Sequence, residues 1–469
     1  MTHQSSVSAI FHTQLGIADE AKVDEWELTA ARRALANIKS LLGQSQLEAL
    51  IQPQLNENDR RIRQYVAQSH NEFKPVFVQV DLKGLTATEY VTWQAEQMRR
   101  AIIGTPEERT DVLKQVVFPA HPEHYLLLNS GIVETLGGLP TNATVVPSAT
   151  GENVPAFVHE STDPEYPHKS YANIMLQDGT KWGCGVTEYR DTDEGGSFRL
   201  HVWWPKAAPQ VFFDDHNRHF AVEYRNFVQL AATALNKDLR KVSTTFHTQL
   251  GTADDAQVNT WELQAARRAL INLKTLLGQE RLQTLIAPEM KENERRIKHY
   301  LTESKGLFKD VFVEVDLKGM TATQYVTWQA QQMRKALTGT PEERDQVLAT
   351  VLFPAHPEHY LLLNSGVVET LGGLPTNAAV FPDRTGDTVP QFVRDVTLPD
   401  YPHHSYSAIK FADGTTWGYG VTEYQDTDTG GRFRLHVWWP KACPQIFFDD
   451  HNRHFAVEYR NFINLANQA

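Results

Sequence analysis

Phe11-His12-Thr13-Gln14-Leu15-Gly16 returns as Phe246-His247-Thr248-Gln249-Leu250-Gly251. At that single fixed offset the chain matches itself from Phe11 to Ala234 and from Phe246 to Ala469 without a gap. All ten Trp fall into pairs: Trp26/Trp261, Trp93/Trp328, Trp182/Trp417, Trp203/Trp438 and Trp204/Trp439. A repeat this long is no solenoid unit of roughly 20–50 residues; it is a whole domain by size. The sequence therefore divides into a first repeat over 1–235, a short polar linker over 236–245 and a second repeat over 246–469. The expected outcome of such a fusion is two halves forming a pseudo-symmetric dimer within one chain.

Within one repeat the pattern changes from helix to strand and back. Trp26, Leu28, Ala31, Leu35, Ile38, Leu41 and Leu42 recur at three-to-four spacing, and Gly43 can stop that helix. A second helix is expected from about Pro53 to Ala67, so helices occupy 17–75 and, in the second repeat, 252–308. Val76 to Leu82 alternates like a strand. Thr86-Ala-Thr-Glu89 reads as a capping box opening a helix through Trp93 and Met98. Thr105-Pro-Glu-Glu-Arg109 opens another, with an N-cap, Pro at the first helical position and acids in the first turn. Beyond Tyr125 the pattern is mostly strand. A hairpin turns at Asp178-Gly179, and Ser197 to Trp204 alternates as a central strand. A closing helix follows over roughly 214–232. Helices, antiparallel strands and a closing helix in that order make the fold class α+β.

The net charge is −12 without a basic cluster, which argues against nucleic acid as a partner. No apolar run approaches a membrane span, so no membrane partner is expected. Met1 to Ser6 lacks the basic and apolar regions of a signal peptide, and a cytoplasmic location is the expectation. Cys184 and Cys443 face Tyr419 and Ala208 at the repeat offset, so neither thiol is shared by the repeats and thiol catalysis is not expected.

Chemistry is concentrated in three places. His219-Phe-Ala-Val-Glu223 recurs as His454-Phe-Ala-Val-Glu458, and residues four apart on a helix lie on one face, a geometry for two ligands of one Zn²⁺ or for a surface His–Glu pair. Glu134, repeated as Glu369, stands in an apolar strand-like run, where a carboxylate is costly unless it is paired or binds metal. Phe118-Pro-Ala-His-Pro-Glu-His-Tyr125, repeated over 353–360, offers His121 and His124 (His356 and His359) from a stiff, proline-bounded loop. His168 and His201, with His403 and His436, recur as lone imidazoles, as does His216 with His451; His201 alternates along a strand and can face a pocket.

In order and local pattern these pieces resemble the diacetylphloroglucinol/phloretin hydrolase family. The resemblance runs from Val80-Asp-Leu-Lys-Gly-Leu-Thr-Ala-Thr-Glu-Tyr-Val-Thr-Trp93 through the His pair of 121–124 and the Glu134 strand to Phe198-Arg-Leu-His-Val-Trp-Trp204 and His219-x-x-x-Glu223. It implies two tandem Bet v 1-like helix-grip domains, a curved antiparallel sheet around a long C-terminal helix, over about 76–234 and 311–469. It also implies a Zn²⁺ site and hydrolysis of a carbon–carbon bond between an acyl group and a phenolic ring. The metal ligands it implies are Glu134, His219 and Glu223, with Glu369, His454 and Glu458. Its remaining His ligand would lie on the Trp-rich helix, but Trp93-Gln-Ala-Glu-Gln-Met98 and Trp328-Gln-Ala-Gln-Gln-Met333 have Gln97 and Gln332 and no His. His124 or His121 is the nearest substitute in sequence. Catalytic candidates are then His124, His168 and His201, with His359, His403 and His436. Two other classes of function compete: a non-catalytic binder of a hydrophobic aromatic small molecule, needing no metal, and an assembly protein associating through the N-terminal helices.

Overall fold

Val76, Val78, Val80 and Leu82 are buried and the residues between them are only half-buried, so the alternating run is a one-face-in strand, Phe73–Lys83. In a computed structural model of the chain, which describes residues 7–128, 131–148, 150–363 and 366–469, this strand is central to an antiparallel sheet. The segment Met1–Ser6, read for a signal peptide, lies outside the described residues.

The chain divides into two compact units, Leu35–Ala269 and Met1–Ala34 with Leu270–Ala469. In the first, the sheet order is Gly251–Ala253, Ser243–Thr248, Phe73–Lys83, Gly195–Pro205, Lys181–Thr192, His168–Met175, Thr144–Ser148. A three-stranded sheet, His124–Leu128, Gly131–Leu136 and Leu139–Asn142, accompanies it. In the second unit the equivalent strands join into one nine-stranded sheet, because Leu374–Asp383 runs unbroken where Ala143 interrupts the first.

The compact units are thus offset from the sequence repeats. Ser243–Thr248, partly inside the segment read as a linker, is a strand; it pairs with Phe73–Lys83, Phe246 opposite Val80. Ser8–Thr13 pairs in the same way with Phe308–Lys318 in the other unit, Phe11 opposite Val315. The N-terminal part of each repeat was read as helical; it opens instead with this short hairpin, whose Phe11 or Phe246 is fully buried. The helix that follows, Glu20–Ser69, is broken at Gly43 (φ 65°, ψ 172°) as expected, but Pro53 lies inside the second segment and does not start it. The hairpin turn at Asp178-Gly179 spans three residues, with Leu176 and Thr180 hydrogen-bonded and Gly179 at φ 84°.

The capping box forms at Thr86/Glu89, Thr105 caps the next helix and makes a further box with Glu108, and the Trp-rich helix runs Ala87–Ile103. The closing helix, Gln210–Ala234, begins four residues earlier than its pattern suggested. Phe212, His216, His219, Phe220, Tyr224, Phe227 and Val228 are all buried on it. A helix buried over so much of its circumference belongs inside a fold, and here the sheet curves around it: the helix-grip arrangement. Gln445–Gln468 repeats it in the second unit. Among the described residues, no helix is long and apolar enough to cross a membrane.

Candidate metal centre and its cavity

The helical turn Phe118–Ala120 must end at His121, because the residue before Pro122 is driven into extended geometry (φ −152°, ψ 138°). The carbonyl of Val117 is therefore in a last helical turn without a following amide. His124 Nδ1 donates to it at 2.9 Å. That bond fixes the tautomer: the proton is on Nδ1, and Nε2 presents a bare lone pair, the state a metal ligand needs. The next residues form the strand His124–Leu128, paired so that His124 is directly opposite Glu134. Cross-strand partners share a face. The closing helix brings His219 and Glu223 to the same point, one turn apart.

Four donors converge. His219 Nε2 is 2.8 Å from Glu134 Oε2 and 3.2 Å from His124 Nε2. His124 Nε2 is 3.7 Å from both Glu134 Oε2 and Glu223 Oε1. The second unit repeats this with His359, Glu369, His454 and Glu458: 2.8 Å, 3.2 Å, 3.8 Å and 3.5 Å. Donors about 2.0–2.2 Å from a tetrahedral ion are about 3.3 Å apart; the His219–His124 spacing meets this, and the imidazoles of His121, His124 and His219, like those of His356, His359 and His454, lie within 4.8 Å of one another, a group that could hold an ion. Charge in the cluster centres on the Glu134–His219 contact at 2.8 Å, with burial favouring the neutral form of Glu223.

Burial opposes a charge on Glu134, but His219 and His124 outweigh it and hold that carboxyl well below the usual range. Burial lifts Glu223 well above it, offset in part by His219 and reinforced by Glu134. In the second unit Glu458 is pushed up to about 7 by the same causes. Burial pushes His124 down to about 4. Burial also works against a charge on His219, yet Glu134 at 2.8 Å raises it overall.

His121 takes a different part. Its Nδ1 accepts from the Glu123 amide at 3.1 Å, and its ring stacks on His219 at 3.7 Å between centroids. It packs against the His219 imidazole. The loop is held by Lys39, fully buried, whose Nζ donates to the carbonyls of Pro122 and His124 at 2.7 and 2.5 Å. Arg268 forks onto Glu123 at 2.8 and 3.1 Å. In the second unit Lys274 and Arg33 do the same for Pro357, His359 and Glu358.

The remaining candidates are elsewhere. Gly195–Pro205 alternates, so Leu200, Val202 and Trp204 line the interior while His201 faces away, against Phe77 and Trp203. His436 likewise stacks on Phe312, with Arg434 at 3.0 Å. His168 and His403 are exposed and stack on Tyr189 and Tyr424. None of these four reaches the cluster; a period of two settles on which side of a sheet a residue is, and the sequence does not say which side is inside. Gln97, at the position where the resemblance implied a His, bonds instead to Arg100 at 3.2 Å. The supporting Lys39 and Arg268 escaped sequence reasoning because each acts from a helix distant in sequence.

Glu134 and Glu223 open onto a cavity of about 630 Å³ in the first unit. Met98, Ile132, Leu200, Trp204, Phe220 and Phe227 give it an apolar wall, and His216, Tyr171, Thr187 and Gln94 add polar atoms. The volume is that of a small-molecule site.

No protein-family model matches the chain, and no curated protein matches it. Similar solved structures include the di-domain ARO/CYC BexL from the BE-7585A biosynthetic pathway, 9% identical with a TM-score of 0.21, covering 84% of this chain and 98% of that one. The di-domain ARO/CYC StfQ from the steffimycin biosynthetic pathway is 10% identical with a TM-score of 0.21, covering 83% and 97%. DynU16, a putative protein in the dynemicin biosynthetic locus, is 10% identical with a TM-score of 0.17, covering 84% and 98%. Likeness at such TM-scores says nothing about chemistry.

Proposed function

We propose that the chain takes a hydrophobic aromatic small molecule into the cavity of its helix-grip unit and, as a metal-dependent hydrolase, cleaves the carbon–carbon bond joining an acyl group to a phenolic ring. The observation that carries this reading is the convergence of His124, Glu134, His219 and Glu223, from two strands and a helix, with Glu134 and Glu223 at the wall of a largely apolar cavity. These four, with His359, Glu369, His454 and Glu458, would hold one Zn²⁺ each. A bound ion of this kind polarises a carbonyl and brings a water's pKa toward neutrality.

The chain's own residues do the rest. The apolar walls lower the polarity around a bound molecule and strengthen its electrostatic contacts. His124 is kept as a bare Nε2 donor by Val117, and Lys39 keeps its backbone in place. In the overall reaction water adds to the carbonyl carbon, the ring carbon departs and takes a proton, and a phenol and a carboxylic acid result.

The test is metal analysis of the purified protein together with a panel of acylphenols, assayed with and without zinc. Two ions per chain and zinc-dependent release of carboxylic acid are expected. A second reading, a non-catalytic binder of the same class of molecule, is favoured by how little of the cavity is polar. Tight binding of an acylphenol without turnover in zinc-loaded protein would establish it instead.

A further inference from the structure

The donor cluster has two sides. In the first unit Glu134 and Glu223 line the apolar cavity, whereas their neighbours Thr135 and Val222, with His219, line a separate pocket of about 10 Å³. Among the described residues the two hollows share none of their walls. Strand alternation turns Thr135 away from Glu134, and one residue along a helix turns Val222 away from Glu223.

The second unit repeats this pocket at a different size. Behind His454 it measures about 220 Å³. At the wall positions common to both pockets the residues are the same but for one: Thr29 stands where the first unit has the longer Gln264. Lys22 and Glu25, paired at 2.8 Å, extend the larger pocket outward, where the first unit has Gln257 and Thr260. A buried water needs roughly 10–15 Å³, and its share of liquid volume is about 30 Å³. The first unit's pocket is at the limit for one water, whereas the second unit's has room for roughly seven, a small ion with its hydration shell.

The walls suit such an occupant. Arg33 forks onto Glu358 and reaches Asp450 at 3.0 Å, and Arg453 reaches Asp450 at 3.2 Å. With Lys22 on Glu25 the wall charges balance, so the pocket is polar without favouring an anion. Its outer end is exposed at Lys22, Glu25 and Thr29, and its inner end is the buried ring of His454, stacked on His356 at 3.7 Å.

Resting on the metal reading given above, we infer that this pocket is a polar entrance by which hydrated zinc reaches the second unit's centre, separate from the cavity that takes the apolar molecule. In the first unit Gln264 closes it, so the two centres exchange metal at different rates. The His454 ring is the last barrier, and a swing of that ring admits the ion.

The test strips zinc from the fully loaded chain with an excess of the chromogenic chelator 4-(2-pyridylazo)resorcinol. Release is expected in two phases of equal amplitude, about tenfold or more apart in rate. His454→Ala, which removes a donor of the second centre, should abolish the fast phase alone. Thr29→Gln should slow the fast phase about tenfold, and Gln264→Thr should quicken the slow one. Thr29 and Gln264 are exposed, so neither change should disturb folding. A plug raises a barrier and leaves the end states alone, so uptake should slow with release at unchanged affinity. Weaker affinity in Thr29→Gln would mark a structural effect and overturn the inference. Release in a single phase, or a fast phase untouched by Thr29→Gln, overturns it as well and leaves the metal centre in place. A chain that takes up no zinc overturns the metal reading and this inference with it.

Discussion

His124 and Glu134 meet because they are opposite one another across a strand pair, and His219 joins them from the closing helix. Deleting one donor from such a cluster should cost more than the roughly 10–100-fold in affinity that loss of a supporting hydrogen bond costs a metal site. His124→Ala is thus expected to weaken zinc binding beyond 100-fold, measured by competition with a chelator; unchanged affinity would remove His124 from the ligand set. Protonation provides a second check. Glu458 is pushed up to about 7 by burial, so at neutral pH much of it carries a proton that a metal ion must displace. Zinc binding should therefore release protons, more as pH falls below 7 and fewer as it rises toward about 9. Calorimetry in buffers of different ionisation enthalpy reads this directly. Proton release that does not change with pH would contradict the assignment. At this scale the sequence showed the donor types and the helical His–Glu spacing. It did not show which of His121 and His124 stands opposite Glu134, because pairing register is a property of two strands.

The His loop is held as an element by a residue far away in sequence. Lys39 is fully buried and donates to two backbone carbonyls of that loop. Lys39→Met keeps the length of the stem but strands both carbonyls, at a cost of about 2–3 kcal/mol. Chemical denaturation should show that loss together with weaker zinc binding; a variant with native stability and native zinc affinity would show the lysine to be a bystander. Its pH dependence has a definite sign. Burial pushes the ammonium down to about 7, so the folded state sheds its proton at lower pH than the unfolded chain. Between about pH 7 and 10.5 the unfolded state binds more protons, and stability should rise with pH across that window through this residue. The methionine variant should lose that part of the rise. Elements with a strong local signal, such as the capped Ala87–Ile103 helix and the Phe73–Lys83 strand, were legible from spacing alone. The N-terminal hairpin was not: Gly16–Ala18 is three residues long, too short for a periodicity to register.

For the whole molecule, the boundaries of repeat and unit disagree. The unit Leu35–Ala269 takes its edge hairpin, Ser243–Thr248 with Gly251–Ala253, and Arg268 on Glu123, from the linker and the start of the second repeat. A fragment of residues 35–269 should fold cooperatively as a monomer, whereas residues 1–235 lack both contributions. A monomeric 1–235 fragment with a cooperative thermal transition would sink this; size-exclusion chromatography with calorimetry decides. By itself the sequence determined the duplication, the α+β class, the capped helices, the long closing helix and the His–Glu pair on it. These rest on self-similarity and on periods of two and 3.6 residues, which are local properties. Tertiary structure alone decided which strand face is inward, which excluded His168, His201, His403 and His436 from the cluster and gave Trp204 and His216 to the cavity. It alone decided that each unit borrows its edge hairpin from the other repeat. Both depend on pairings between residues far apart in the chain, whose energies lie in burial and register and leave no local trace in composition or spacing.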